Sequence, residues 1–366
     1  MKIGIISMQK VINYGSFLQA FGLRGLIKEA TGVNAKFIDI EQGNKLKLNQ
    51  INVAKRILHV IELMFKGLFI STIRDKKYMK NLSNQFHRDF FPLLDLDKKN
   101  NEEEYDCIVV GSDEVFHCTQ NAPWGFSTQL LGNINNTKKK ISYAASFGST
   151  TYEKLEEFGI KQIVSENLKK FDAISVRDNY SKELIYKLVG ILPYEHLDPV
   201  LLYDFSKDID NSTPISVDKK YLLVYSYTGR IVSNKEIKNI VNFAKSKKLE
   251  IFTIYCQYKW ADKTIIPDSP FQLLRYFENA SYIISDTFHG SIFSIITRRP
   301  FCTIVRDTNK EKLLSLFTTL EITERAIFNT DEISKVIEKE IDYDKIDDIR
   351  NKQHYNSIKY FRDNIG

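Results

Sequence analysis

Short apolar runs recur along this chain, and each stops at a cluster of glycine and polar residues. Lys2 to Ser7 is the first. The turn Asn13-Tyr14-Gly15-Ser16 follows, then a helical pattern from Phe17 to Lys28, then a second run from Ala35 to Ile40. Strand, turn, helix and strand in that order form the unit of a parallel α/β sheet. Ile108 to Gly111 ends in Gly111-Ser112-Asp113-Glu114. Lys140 to Ala145 ends in Ser146-Phe147-Gly148, and Ala173 to Val176 ends in Arg177-Asp178 ahead of a helix from Ser181. In open α/β sheets ligands bind at the carboxyl ends of strands, where these polar clusters lie.

The pattern pauses at 205–220, a polar stretch carrying Pro214, which reads as a linker. A second set follows, with strands at Tyr221–Tyr227, Glu250–Tyr255, Tyr282–Ser285 and Phe301–Val305. Helices are expected near Asn234–Lys247, Pro270–Ala280 and Ser291–Arg298. The expected organisation is an N-terminal Rossmann-like domain over 1–204, a C-terminal one over 221–330 and a helical tail over 331–366. The fold class is α/β, two Rossmann-like domains facing a cleft. Within the first domain, near 45–80, Lys55 to Lys77 has Ile57, Leu58, Val60, Ile61, Met64, Phe65, Leu68 and Phe69 on one helical face, with basic flanks. It could lie in a membrane interface; the other readings are a helix packed on the sheet edge and a dimer contact, and the oligomeric state is left open.

The 52 Lys and Arg against 46 Asp and Glu give a net charge of +6, which suits an anionic ligand or a membrane surface and does not call for nucleic acid. Cys107, Cys118, Cys256 and Cys302 form no CxxC pair, so core thiols in a reducing compartment are expected. The N-terminus reads straight into a strand with no signal-peptide layout, and no apolar run reaches the roughly 20 residues that span a bilayer. The expected location is the cytoplasm.

The segment Ile283 to Ser294 holds the densest chemistry. An apolar run leads into Asp286-Thr287-Phe288-His289-Gly290-Ser291, and helical spacing resumes at Ile292. The free N–H groups of a helix start favour an anion. Gly290 is expected to let the backbone approach a ligand, and His289 adds a group that handles protons near neutral pH. The plainer reading is a capped helix with a histidine that packs.

Taken together the motifs resemble the polysaccharide pyruvyl transferase family. The pieces are Asn13-Tyr14-Gly15-Ser16 with Leu18-Gln19-Ala20; Gly111-Ser112-Asp113 with Val115-Phe116; Tyr143 to Gly148; Ser175-Val176-Arg177-Asp178; Leu197 to Leu202; and Asp286 to Gly290 with Phe293-Ser294 and Pro300-Phe301. Where relatives often carry Gln and Trp after Gly-Ser-Asp, this chain has Glu114 and Phe116. The resemblance implies a GT-B-like fold and transfer of pyruvate from phosphoenolpyruvate (PEP) onto a sugar as a ketal, the sugar belonging to a surface polysaccharide or to a lipid-linked precursor.

That chemistry needs a proton for the PEP methylene, a base for the attacking hydroxyl and groups to hold phosphate and carboxylate. It demands no metal or cofactor, and the chain has no HxH or HExxH pattern. His289 is the expected proton-handling residue, or else only a hydrogen-bond donor to phosphate. Arg177 can form a bidentate pair with PEP, or else an interdomain salt bridge to Asp198 or Asp286. Asp113 can stand as a base, or as a turn-former. Asn13, Tyr14, Gly15 and Ser16, together with Ser112, Ser146, Thr287, Gly290 and Ser291, are expected at the substrate; the plain reading of the first four is a βα turn in which Gly15 supplies a positive φ. Tyr225 and Tyr227 could stack on a sugar or sit in the core. Lys138 to Lys140 reads as a solvated face. Two rival functions stay open: a glycosyltransferase of the same fold using a nucleotide sugar, and a non-catalytic glycan-binding protein.

Overall fold

A computed structural model describes residues 1–46, 79–96, 103–120 and 122–366. The amphipathic stretch Lys55–Lys77 lies outside the described residues. Among these residues twelve strands form two sheets. The first has the order β2(Lys36–Phe37), β1(Ile3–Ile6), β3(Tyr105–Asp113), β4(Thr137–Ala145), β5(Ser175–Val176), β6(Tyr194–Glu195). The second has the order β12(Ala326–Ile327), β11(Phe301–Ile304), β10(Tyr282–Ser285), β7(Tyr221–Tyr225), β8(Glu250–Ile254), β9(Lys263–Ile265). All pairings within the two sheets are parallel.

Parallel strands are buried on both faces, which is why they read as unbroken apolar runs. Their side chains still alternate. Ile3, Ile5, Cys107, Val109, Ile141 and Tyr143 of the first sheet share one core with Tyr221, Leu223, Tyr225, Ile283 and Phe301 of the second. The alternate residues, Ile6, Ile108, Val110 and Ala145, enter a separate cluster on the first sheet's other face. Leu222, Val224, Ile284 and Cys302 do the same for the second. One apolar core therefore continues from sheet to sheet.

Six helices position the site. They are α1(Tyr14–Thr31), α2(Asn179–Val189), α3(Pro199–Leu202), α4(Phe288–Ile296), α5(Lys310–Thr319) and α6(Tyr343–Ile365). Asn13 starts α1, its side chain accepting from the Gly15 and Ser16 amides, and Gly32 ends it at φ 73°. The helix is apolar on most sides because it packs against the first sheet, α3 and α6. The tail does not stay with the second domain. Arg298 pairs with Asp344 at the start of α6, while Tyr360 donates to the Ser142 carbonyl at 2.7 Å and the Phe361 ring lies 4.6 Å from Tyr143. Residues 205–220 hold only the short helix Ser206–Asp210.

Strand order reverses once in each sheet. From β1 the chain builds β2 on one side and β3 on the other; from β7 it builds β8 on one side and β10 on the other. Such reversals open a crevice at the carboxyl ends. Here the two crevices face one another, giving a GT-B-like arrangement of two Rossmann-like domains across a cleft. Among the described residues no helix is long and apolar enough to cross a membrane.

Candidate active site

A cavity of about 490 Å³ lies where the two crevices meet. The first domain supplies Met8, Val11, Asn13 and Ser16 after β1, Asp113, Glu114 and His117 after β3, and Ser149 after β4. The second supplies Tyr227 and Arg230 after β7, Thr287, Phe288 and His289 after β10, and Asn309 and Lys312 at the start of α5. Contacts across the cleft fix the walls. Lys312 Nζ donates to Glu114 Oε1 at 2.7 Å, and Asn13 Nδ2 donates to the Tyr227 hydroxyl at 3.3 Å.

His289 stands in the first turn of α4, 7% exposed. Its Nε2 is 3.8 Å from Asp198 Oδ2, an ion-pair distance too long for a hydrogen bond. Asp198 is fully buried at the start of α3, where its Oδ1 accepts from the Val200 amide. Burial pushes the Asp198 carboxyl up, but His289, Arg177 and the Val200 amide outweigh it and hold the group below the usual carboxylate range. The buried carboxylate thus faces the edge of the imidazole without a hydrogen bond to it.

Gly15 forms the other side of the histidine's slot. A Cβ there would lie 2.3 Å from His289 Nδ1. The glycine is needed for this approach, and its φ is not positive, unlike the expectation from the turn.

Arg177 holds the carboxylates together. Its Nη1 donates to Asp198 Oδ2 at 2.9 Å, its Nη2 to Asp113 Oδ1 at 3.0 Å, and its guanidinium lies 4.5 Å from the Phe288 ring centre. Burial lowers the Arg177 pKa, but Asp113, Asp198 and Glu114 more than reverse this and push it up. The salt bridge from Arg177 to Asp198 is present, but it lies within the first domain and not between domains as expected. Both Nη groups are taken, the buried Nε has no partner, and Arg177 does not line the cavity.

Asn13, Ser16, Asp113, Thr287 and His289 meet at the cavity. Ser16 Oγ donates to Asp113 Oδ2 at 3.1 Å, and Asp113 itself adopts φ 73°, a left-handed conformation that Asp tolerates better than most residues. The other expected substrate contacts sit elsewhere. Tyr14 is buried, stacks on Tyr255 with ring centres 4.9 Å apart, and donates to the Pro267 carbonyl, so it is a strut between domains. Ser112 is fully buried. Ser146 donates to Asp178 Oδ2 at 2.6 Å, fixing the cap of α2. Gly290 is pressed against Ser285, Thr287 and Tyr225, with no room for a Cβ, which explains the glycine by packing and not by ligand approach. Ser291 is bonded to the Thr287 carbonyl and to Thr303 at 2.8 Å, facing β11. Thr287 Oγ1 already satisfies the Gly290 amide, so the helix start offers fewer free donors than the sequence suggested. Tyr225 is buried in the core, whereas Tyr227 is 39% exposed at the cavity.

Glu114, His117, Ser149, Arg230 and Lys312 were not singled out as candidates in the sequence. His117 Nδ1 is 3.0 Å from Glu114 Oε2, and His117 Nε2 is 3.1 Å from Ser149 Oγ. The signal available was the spacing of Glu114 and His117 just past a strand end; nothing local marks Ser149 or Lys312. Among the described residues no group of three or more His, Cys, Asp or Glu side chains is placed to hold a metal ion.

Comparison with solved structures finds distant likenesses. An O-GlcNAc transferase mutant from Thermobaculum terrenum shares 10% identity over 99% of this chain and 64% of that one, with a TM-score of 0.42. The UDP-GlcNAc 2-epimerase from Neisseria meningitidis bound to UDP-GlcNAc shares 11% over 100% and 94%, with a TM-score of 0.47. Arabidopsis thaliana UGT89C1 complexed with UDP-L-rhamnose shares 8% over 100% and 98%, with a TM-score of 0.48. No curated protein matches the chain in sequence. A family model described as polysaccharide pyruvyl transferase matches residues 13–308. That span runs from the cap of α1 through α4 to the loop before α5 and so takes in both walls of the cavity: the chain belongs to the polysaccharide pyruvyl transferase family.

Proposed function

We propose that this protein transfers pyruvate from PEP to a sugar of a surface polysaccharide or of its lipid-linked precursor, forming a pyruvyl ketal. The observation that carries this reading is His289, standing in the cavity wall with its Nε2 3.8 Å from the buried Asp198 carboxylate. Protonated, His289 can deliver a proton to the PEP methylene carbon. The neighbouring carbon then gains positive character and is attacked by a sugar hydroxyl. Lys312 and Arg230 line the same cavity and are the cations to receive phosphate and carboxylate, a role for which Arg177 has no free fork. The phosphate leaves, and a second hydroxyl closes the ketal.

The test is phosphate release from PEP in the presence of candidate lipid-linked sugars. Wild-type protein should release phosphate only with an acceptor. His289→Ala should lower the rate about 10²–10⁴-fold, the usual cost of losing general acid–base catalysis. Consumption of a nucleotide sugar with none of PEP would overturn the proposal.

A further inference from the structure

A second histidine stands on the first domain's side of the cavity. Glu114 follows β3, His117 lies three residues on, and Ser149 is exposed on the turn after β4; all three line the cavity. The polarity of the chain Glu114–His117–Ser149 follows from its contacts. Burial pushes the Glu114 carboxyl up, but the bond from His117 and the charges of Lys312 and Arg177 outweigh it and hold the group well below the usual carboxylate range. Glu114 is thus an acceptor only, so the proton between it and His117 sits on Nδ1. In the neutral ring Nε2 then carries the lone pair, and the Ser149 hydroxyl donates to it at 3.1 Å. The Ser149 oxygen keeps its own lone pairs for another hydroxyl.

We infer that His117 is a second acid–base residue of this site, taking the proton of the acceptor hydroxyl through Ser149, with Glu114 as the residue that positions its ring. The inference rests on the pyruvyl-transfer reading. The protons balance over two half-reactions. In the first, protonated His289 gives its proton to the PEP methylene carbon. The sugar oxygen bonds to the neighbouring carbon, and its proton passes by Ser149 to His117. In the second, the second hydroxyl bonds to the same carbon and the carbon–oxygen bond to phosphate breaks. His117 returns its proton through Ser149 to the leaving phosphate, and His289 takes the proton of the second hydroxyl. Both histidines end as they began.

The experiment has two arms. In the first, His117→Gln and Ser149→Ala are assayed for acceptor-dependent phosphate release, and PEP binding is measured separately by calorimetry. Both variants should lose kcat, His117→Gln by about 10²–10⁴-fold, with PEP affinity unchanged. Wild-type kcat in His117→Gln, or loss confined to PEP affinity, overturns the inference. The second arm needs no turnover. Nitrogen-15 NMR of histidine-labelled wild-type protein should show the His117 proton on Nδ1, and that preference should disappear in Glu114→Gln. A neutral ring protonated on Nε2 overturns the inference even if PEP is turned over. If the expected tautomer is seen but PEP is never consumed, the Glu114–His117–Ser149 polarity stands and the pyruvyl-transfer reading fails, taking the base role with it.

Discussion

Replacing Arg177 by methionine should destabilise the first domain by about 3–5 kcal/mol, the usual cost of removing one partner from a buried ion pair. The size follows from what the side chain leaves behind. Asp198 is fully buried and keeps only the Val200 amide and the more distant His289 as compensation. Asp113, with 14% of its side chain exposed, can turn to water and contributes less. Loss of the stacking on Phe288 adds to the effect. The chain has one tryptophan in each domain, Trp124 and Trp260, so urea unfolding can be followed separately in variants keeping one or the other. The transition reported by Trp124 should move to lower urea, and Asp198→Asn in the Arg177→Met background should restore much of the loss. Acidity gives an independent check. In the wild type the depressed Asp198 pKa contributes stability that is present above the ordinary Asp value and is lost as pH falls through the folded value. Without Arg177 the same carboxylate is an uncompensated charge that protonation relieves, so the gap between wild type and variant should narrow as pH falls toward about 4. A loss below about 1 kcal/mol, the range of exposed pairs, or no rescue by Asp198→Asn, would refute the reasoning.

Gly15→Ala should impair catalysis more than stability. Its Cβ would lie 2.3 Å from His289 Nδ1, so the ring must retreat by about 1 Å, and a displacement of that size costs about 10²-fold in rate; a fully active, folded variant would show that His289 does not need this position. If the acceptor is lipid-linked, the basic and apolar residues of Lys55–Lys77 should carry the protein to anionic vesicles at low salt, and Phe65→Glu with Phe69→Glu should prevent it; protein that stays at the bottom of a flotation gradient would count against docking.

The longer strands were legible because apolar runs such as Tyr221–Tyr225 and Phe301–Ile304, set between turn signals, leave few alternatives. The short strands β6, β9 and β12 were not read, whereas the equally short β2 and β5 were, because these two lie inside the apolar runs 35–40 and 173–176. The reversal of strand order is a tertiary fact, yet its consequence, polar clusters gathering at strand ends, was visible. Within the site, local chemistry was read more reliably than partners. Asn13 and Thr287 cap helices that begin three residues earlier than the patterns from Phe17 and Ser291 suggested. Gly15 was read as a backbone conformer because its neighbour, His289, lies 274 positions away in the sequence and in the other domain. The same distance problem hid Lys312 opposite Glu114 and Ser149 beside His117, pairs 198 and 32 residues apart. Ser291 and Gly290 carried the right chemistry, but β11 and β7 claim them from behind.

Helix α6 joins the first sheet only after the whole second domain has been synthesised. Until then the face around Tyr143, later covered by Ser357, Tyr360 and Phe361, has no lid. On the ribosome, therefore, the first domain cannot reach its finished core as an independent unit before the second emerges. Its sheet keeps an uncovered patch around Tyr143 until α6 docks, and the two halves of the chain mature together rather than in turn.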